Sequence, residues 1–119
     1  MPSESSRIQI DLTPRFKRDL QNLAKRYRSI RSDLQPLIEQ LQSGEIIGDR
    51  ITGLRYQVFK VRLRNRNVQK GKNGGYRVVY YLKTNTKIIL ATIYSKSDIS
   101  DVSNEIIEDT IAQYEQEIN

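Results

Sequence analysis

Residues 57–64 read QVFKVRLR, and their side chains alternate between two kinds. Successive side chains of a β-strand point to opposite faces of the sheet. The segment therefore predicts a strand with one cationic face and one apolar face, the apolar face holding it against helices. The two sets are Val58, Lys60, Arg62 and Arg64 on one face, and Phe59, Val61 and Leu63 on the other.

Upstream of this strand the pattern predicts one strand and two helices. Residues 7–12 alternate between apolar and polar side chains, as a half-buried strand does. Thr13 precedes a proline, and this pair is typical of a helix N-cap and first helical position. Ser32 is predicted to cap the second helix, and Gly44 suits the position just after its end. Residues 44–56 are predicted to form a connecting loop.

Downstream, residues 76–83 and 87–94 are predicted strands joined by a short turn. The second has an almost continuous apolar run, which predicts burial on both faces. Ser100 is predicted to cap an acidic C-terminal helix over residues 100–117. Residues 1–119 are thus expected to form one α+β domain with an antiparallel sheet of about four strands and helices mainly on one face. Residues 1–6 are expected to be disordered.

Charge is separated along the chain. Residues 50–97 carry 12 basic and no acidic side chains, whereas residues 98–119 carry 7 acidic and no basic ones. A long segment without carboxylates predicts a polyanionic partner, the alternative being a solvated basic face without a ligand. The acidic segment could be an ordinary surface helix or could screen the basic middle. We expect its helix to face away from the basic sheet.

The composition excludes several kinds of site. The chain contains no histidine and no cysteine, so it lacks a thiolate nucleophile, an imidazole base and the usual zinc ligands. Residues 71–75 lack the spacing and the Ser or Thr of a phosphate-binding loop. Because the central half has no carboxylate, we expect no metal and no cofactor. No signal peptide and no membrane-spanning run is recognised, which predicts a cytoplasmic protein without a membrane partner.

Three segments carry a resemblance to a known family. They are FKVRLR at residues 59–64, GGYRVVYY at residues 74–81 and IILATIYSK at residues 88–96. Together they resemble the RelE/ParE superfamily of bacterial type II toxins, and "IYSKSD" is similar to the HigB-like branch. The resemblance implies a RelE-like fold, a cognate antitoxin protein in a toxin–antitoxin hetero-oligomer, and cleavage of messenger RNA on the ribosome by 2′-hydroxyl attack without a metal.

Two other functions stay open. One is a ParE-like inhibitor of DNA gyrase, which binds a protein and cleaves nothing itself. The other is a non-catalytic basic RNA-binding module.

The resemblance also implies roles for individual residues. Lys60 would transfer a proton, Arg62 would bind phosphate, and Arg77 would stabilise the transition state. Tyr94 and Lys96 lie where several relatives place catalytic residues, although Ser97 and Ser103 stand where RelE-type toxins have arginine and tyrosine. Crowded cations are expected to lower lysine and tyrosine pKa values. The residues expected to bind messenger RNA and ribosomal RNA are Arg64, Arg66, Lys70 and Lys72.

Overall fold

The computed structural model describes residues 7–64 and 75–117, so the disorder expected for residues 1–6 lies outside the described part. The predicted α+β class and order of elements are confirmed, with one strand more than predicted. The elements are β1 (Gln9–Leu12), α1 (Pro14–Ala24), α2 (Ile30–Gln42), β2 (Asp49–Ile51), β3 (Val58–Leu63), β4 (Tyr76–Thr84), β5 (Lys87–Ser95) and α3 (Asn104–Glu117).

The sheet has five strands in the order β1-β5-β4-β3-β2. The prediction of about four antiparallel strands differs in two respects. β2 lies within residues 44–56, which were expected to be a loop, because three residues are too few to show an alternating pattern. β1 pairs parallel with β5, and all other pairs are antiparallel. Local alternation identifies a strand but not the distant strand with which it pairs.

Helices cover both faces of the sheet. α1 and α2 pack on one face, and α3 packs on the other. The expectation that α3 faces away from the basic sheet is wrong, since it covers the face to which Lys60 belongs. α3 packs there because the same face also carries apolar side chains, whose removal from water stabilises the fold. Those in contact with α3 and its preceding loop include Val58, Val79, Tyr81, Ile89, Ala91 and Tyr94.

The helix ends follow capping chemistry, although two starts differ from those predicted. The Thr13 hydroxyl accepts a bond from the Phe16 N–H at 3.0 Å, as expected for an N-cap. α2 starts at Ile30, one turn earlier than a Ser32 cap would place it, and the Ser32 hydroxyl bonds the Ser29 carbonyl instead. α3 starts at Asn104 rather than after Ser100, because the Ser103 hydroxyl accepts the first-turn bond.

Two other predicted features, the burial of β5 and the position of Gly44, are confirmed. β5 is buried on both faces along nearly its whole length. Gly44 follows the C-cap of α2 with a φ of +100°. Within the described residues, no helix has the length and apolar character needed to cross a membrane.

Gly48 allows the chain to pass closely over β3 as it enters β2. Its φ is +96°, and a Cβ placed there would lie 2.5 Å from the Lys60 carbonyl oxygen. Gly44 has a similar φ but open space around it. We expect Gly48→Ala to lower the free energy of unfolding by about 3 kcal/mol, against about 1 kcal/mol for Gly44→Ala. Urea denaturation measures both, and equal losses would contradict the contact with β3.

Candidate active site

Three polar side chains form a row across the three central strands. Arg62 of β3 lies directly opposite Arg77 of β4, and Arg77 lies directly opposite Tyr94 of β5. Directly opposite residues point to the same face and are close neighbours. Lys60 lies two residues before Arg62 and therefore shares its face, the one that α3 covers. We call Arg62, Arg77 and Tyr94 the cross-strand row.

The row concentrates positive charge at an energetic cost. Like charges directly opposite each other on adjacent strands repel. Arg77 is half-buried, and its guanidinium donates to the carbonyl oxygen of Tyr76 at 3.3 Å, whereas Arg62 is exposed. An anion bound between the two guanidinium groups would relieve this repulsion.

Asp101 supplies an anion beside the row. It lies in the connection between β5 and α3, and its Oδ1 accepts from the Lys60 Nζ at 2.8 Å and the Tyr94 hydroxyl at 3.1 Å. The N–H of Val102 donates to the same oxygen at 2.9 Å. The Lys60 ammonium is the main reason why the pKa of Asp101 is lowered. No periodic pattern in the sequence singles out Asp101 as a site residue.

Tyr94 is a protonated hydrogen-bond donor in this arrangement. Its side chain is 4% exposed. Burial, and to a smaller extent the hydrogen bond to Asp101, raises the pKa of Tyr94 to about 12. The nearby positive charge of Arg77 lowers this pKa and so offsets part of the increase. The expectation that crowded cations lower the tyrosine pKa is therefore wrong for Tyr94, because burial and the Asp101 carboxylate together outweigh the positive charge of Arg77. At neutral pH this hydroxyl can donate a proton but cannot accept one as a phenolate.

The structure does not bring every predicted residue to the row. The Lys96 ammonium donates to the carbonyl oxygen of Ser100 at 2.8 Å, so it binds the loop before α3. Arg64 is exposed just beyond the end of β3. The remaining predicted RNA-binding residues, Arg66, Lys70 and Lys72, lie outside the described residues.

The acidic C-terminal segment binds back to the basic part of the chain. Besides Asp101, the Glu115 carboxylate accepts from the Tyr81 hydroxyl and the Lys83 ammonium. The carboxylate of Glu108 accepts from the N–H of Arg55 at 2.6 Å. Of the two interpretations of this segment, screening of the basic middle agrees with these contacts.

Comparison with known proteins gives one family and one fold. Residues 10–99 match the family model described as the ParE toxin of the type II toxin–antitoxin system parDE. The structure is similar to that of a double mutant of the E. coli toxin RelE in the free state, with a TM-score of 0.52 and 17% sequence identity. That similarity covers 95% of this chain and 99% of the other. None of the curated proteins compared with the chain matches it.

The raised pKa of Tyr94 predicts an alkaline loss of stability. The Tyr94 hydroxyl loses its proton near pH 10 in the unfolded chain and near pH 12 in the folded chain. The free energy that protonated Tyr94 contributes to stability is therefore complete below pH 10 and is lost as the pH rises through 12. Between about pH 9 and about pH 11.5, wild type should lose about 2 kcal/mol more unfolding free energy than Tyr94→Phe. Urea denaturation at both pH values measures this, and parallel losses would show that Tyr94 titrates normally.

Proposed function

Because the chain belongs to the ParE toxin family of type II toxin–antitoxin systems, we propose that it stops translation by cleaving messenger RNA on the ribosome. One observation carries the proposal. The cross-strand row and Lys60 lie on one face of the sheet, at the edge of the part that α3 covers. Two guanidinium groups and a neutral phenol hydroxyl side by side can stabilise the charge that develops on a phosphodiester and protonate the leaving oxygen.

The reaction assigns a role to each group. A ribose 2′-oxygen attacks the adjacent phosphorus, the bond from phosphorus to the 5′-oxygen breaks, and the products are a 2′,3′-cyclic phosphate and a 5′-hydroxyl. Arg62 and Arg77 stabilise the charge that develops on the phosphorane. Tyr94 donates the proton that the departing 5′-oxygen takes up and regains one from water, while the 2′-hydroxyl proton passes to a water molecule hydrogen-bonded to Lys60. This cleavage reaction needs no oxidant, reductant or metal.

The surrounding charge fits a ribosomal substrate. Arg64 continues the cationic side of β3 past the end of the strand and is exposed. A surface of this kind binds nucleic-acid phosphates with an affinity that falls steeply with salt. Arg66, Lys70 and Lys72 remain predicted contacts to ribosomal RNA on the basis of sequence alone.

A type II toxin has a cognate antitoxin, and the proposed site defines how it would act. We expect the antitoxin to present carboxylates to the exposed guanidinium of Arg62 and to block access to the row. Association between such surfaces is fast and salt-sensitive.

A second function is favoured by the family model, whose description is that of a ParE toxin. A ParE-like inhibitor of DNA gyrase would use the same fold to bind a protein. It would not need arginines opposite each other beside a tyrosine proton donor, so the cross-strand row favours the nuclease.

Arg77→Ala tests the nuclease directly. Loss of this guanidinium should slow cleavage of messenger RNA on programmed ribosomes by about 10²- to 10³-fold, because it removes one stabilising group from the transition state. The fold should remain intact, since the substitution also relieves the repulsion with Arg62. Arg28→Ala, which removes an exposed arginine from the segment between α1 and α2, is the matched control and should cleave as wild type does. Full activity in Arg77→Ala would remove the central assignment.

Two assays on the wild-type chain separate nuclease from gyrase inhibitor. Primer extension after induction in cells should show cuts within codons of translated messages. Supercoiling by purified gyrase should be unaffected by the protein. Intact messages together with inhibited gyrase would establish the second function instead.

A further inference from the structure

The hydrogen bonds to Asp101 define a binding position for one anionic oxygen. Its Oδ1 receives three donors, two of which belong to the sheet: the Lys60 ammonium of β3 and the Tyr94 hydroxyl of β5. The third is the main-chain N–H of Val102. Convergence of an ammonium, a hydroxyl and a main-chain N–H on one oxygen is how proteins bind carboxylate and phosphate oxygens alike.

We propose that this position receives a non-bridging oxygen of the RNA phosphate and that Asp101 occupies it in the free toxin as a built-in competitor. The inference rests on the proposed function, which it deepens by naming a substrate contact and its regulation. Lys60 and Tyr94 then exchange one carboxylate oxygen for one phosphate oxygen when the RNA binds, and Tyr94 passes its proton from this oxygen to the adjacent 5′-oxygen as the bond to phosphorus breaks. The neighbouring guanidinium groups of the cross-strand row hold the rest of the phosphate.

The contact of Asp101 with Lys60 is weak enough for another anion to displace the carboxylate. The side chain of Asp101 is 62% exposed and that of Lys60 is 31% exposed. Exposed ion pairs are weak because water stabilises both charges when they separate. An RNA phosphate held at the same time by Arg62 and Arg77 can therefore displace the carboxylate.

The Asp101 carboxylate can leave its position without movement of α3. The ends of the loop that carries Asp101 are anchored by the buried side chains of Ser95 and Val102, whereas residues 97–101 between them are exposed. α3 itself is held through buried Ile107 and Ile111. Displacement of Asp101 thus requires only rotation of an exposed side chain, and the loop itself can stay held to the segment just after α1 through the pair of Arg26 with Asp98.

Asp101→Asn tests the competitor, with Asp109→Asn as the matched control. Both variants remove one negative charge from the acidic segment, so both attract RNA more strongly through net charge. Asp109 is exposed on α3 and lines a groove with Gly53 and Leu54. Only Asp101→Asn removes the negative charge that is paired with Lys60, so we expect it to bind a 2′-O-methylated single-stranded RNA oligonucleotide about two- to fivefold more tightly than Asp109→Asn does. Cleavage on programmed ribosomes at limiting protein should increase in the same order.

A double-mutant cycle identifies Lys60 as the group that Asp101 occupies. In a Lys60→Met background, Asp101→Asn should improve RNA binding no more than Asp109→Asn does, because the freed donor is absent. Thermal unfolding of each variant confirms that it is folded. A merely structural role for Asp101 would change the unfolding temperature and leave the cycle without coupling.

The possible outcomes separate this inference from the proposed function. If wild type cleaves messenger RNA but Asp101→Asn binds no more tightly than Asp109→Asn, the competitor is refuted and the nuclease stands. If Asp101→Asn binds well but cleaves at least tenfold more slowly, Asp101 acts in the chemistry and the inference is wrong. If wild type does not cleave but Asp101→Asn binds RNA more tightly than Asp109→Asn, the anion position stands and the nuclease fails. Equal binding without any cleavage refutes both.

Discussion

The structure depends on the need to cover both faces of the two long strands, β4 and β5. On the face of α1 and α2 most buried strand residues are apolar, and the buried hydroxyl of Thr92 donates to Asp19 of α1. On the opposite face, Val79 and Tyr81 are apolar, and Arg77 of the same strand is cationic. α3 buries the apolar part of that face and begins only at Asn104. The candidate site lies where this cover ends, so its position follows from the boundary between apolar and cationic residues on one sheet face.

The separation of charge along the sequence becomes local pairing in the fold. The acidic segment follows the basic one, and the turn after β5 returns it across the same sheet face. Its carboxylates therefore meet cations that would otherwise repel one another, as in the pairs of Lys60 with Asp101 and Lys83 with Glu115. The pair of Lys60 with Asp101, whose carboxylate is exposed, contributes little to stability. The larger consequence is that a carboxylate lies beside the groups that would bind a substrate phosphate.

Sequence patterns predicted the parts of the fold that depend on neighbouring residues. The alternation of residues 57–64 identified β3, the Thr13-Pro14 pair identified the start of α1, and the apolar run of β5 indicated burial on both faces. The patterns did not identify β2, the parallel pairing of β1 or the face that α3 covers, because these depend on contacts between distant segments. Placement of Lys60, Arg62 and Arg77 on one face followed from alternation and a resemblance, but the contact of Asp101 with Tyr94 had no local signal.

The lack of histidine determines how such a site can be controlled. Arginine keeps its charge at every physiological pH, and Tyr94 keeps its proton because its pKa lies far above neutrality. Positive charge and a proton donor are therefore present at all times, and no group of the cross-strand row changes protonation near pH 7. A change of pH cannot turn this arrangement on or off in a living cell. Control has to come from what occupies the site, whether a carboxylate of the same chain, an antitoxin or the phosphate of a substrate.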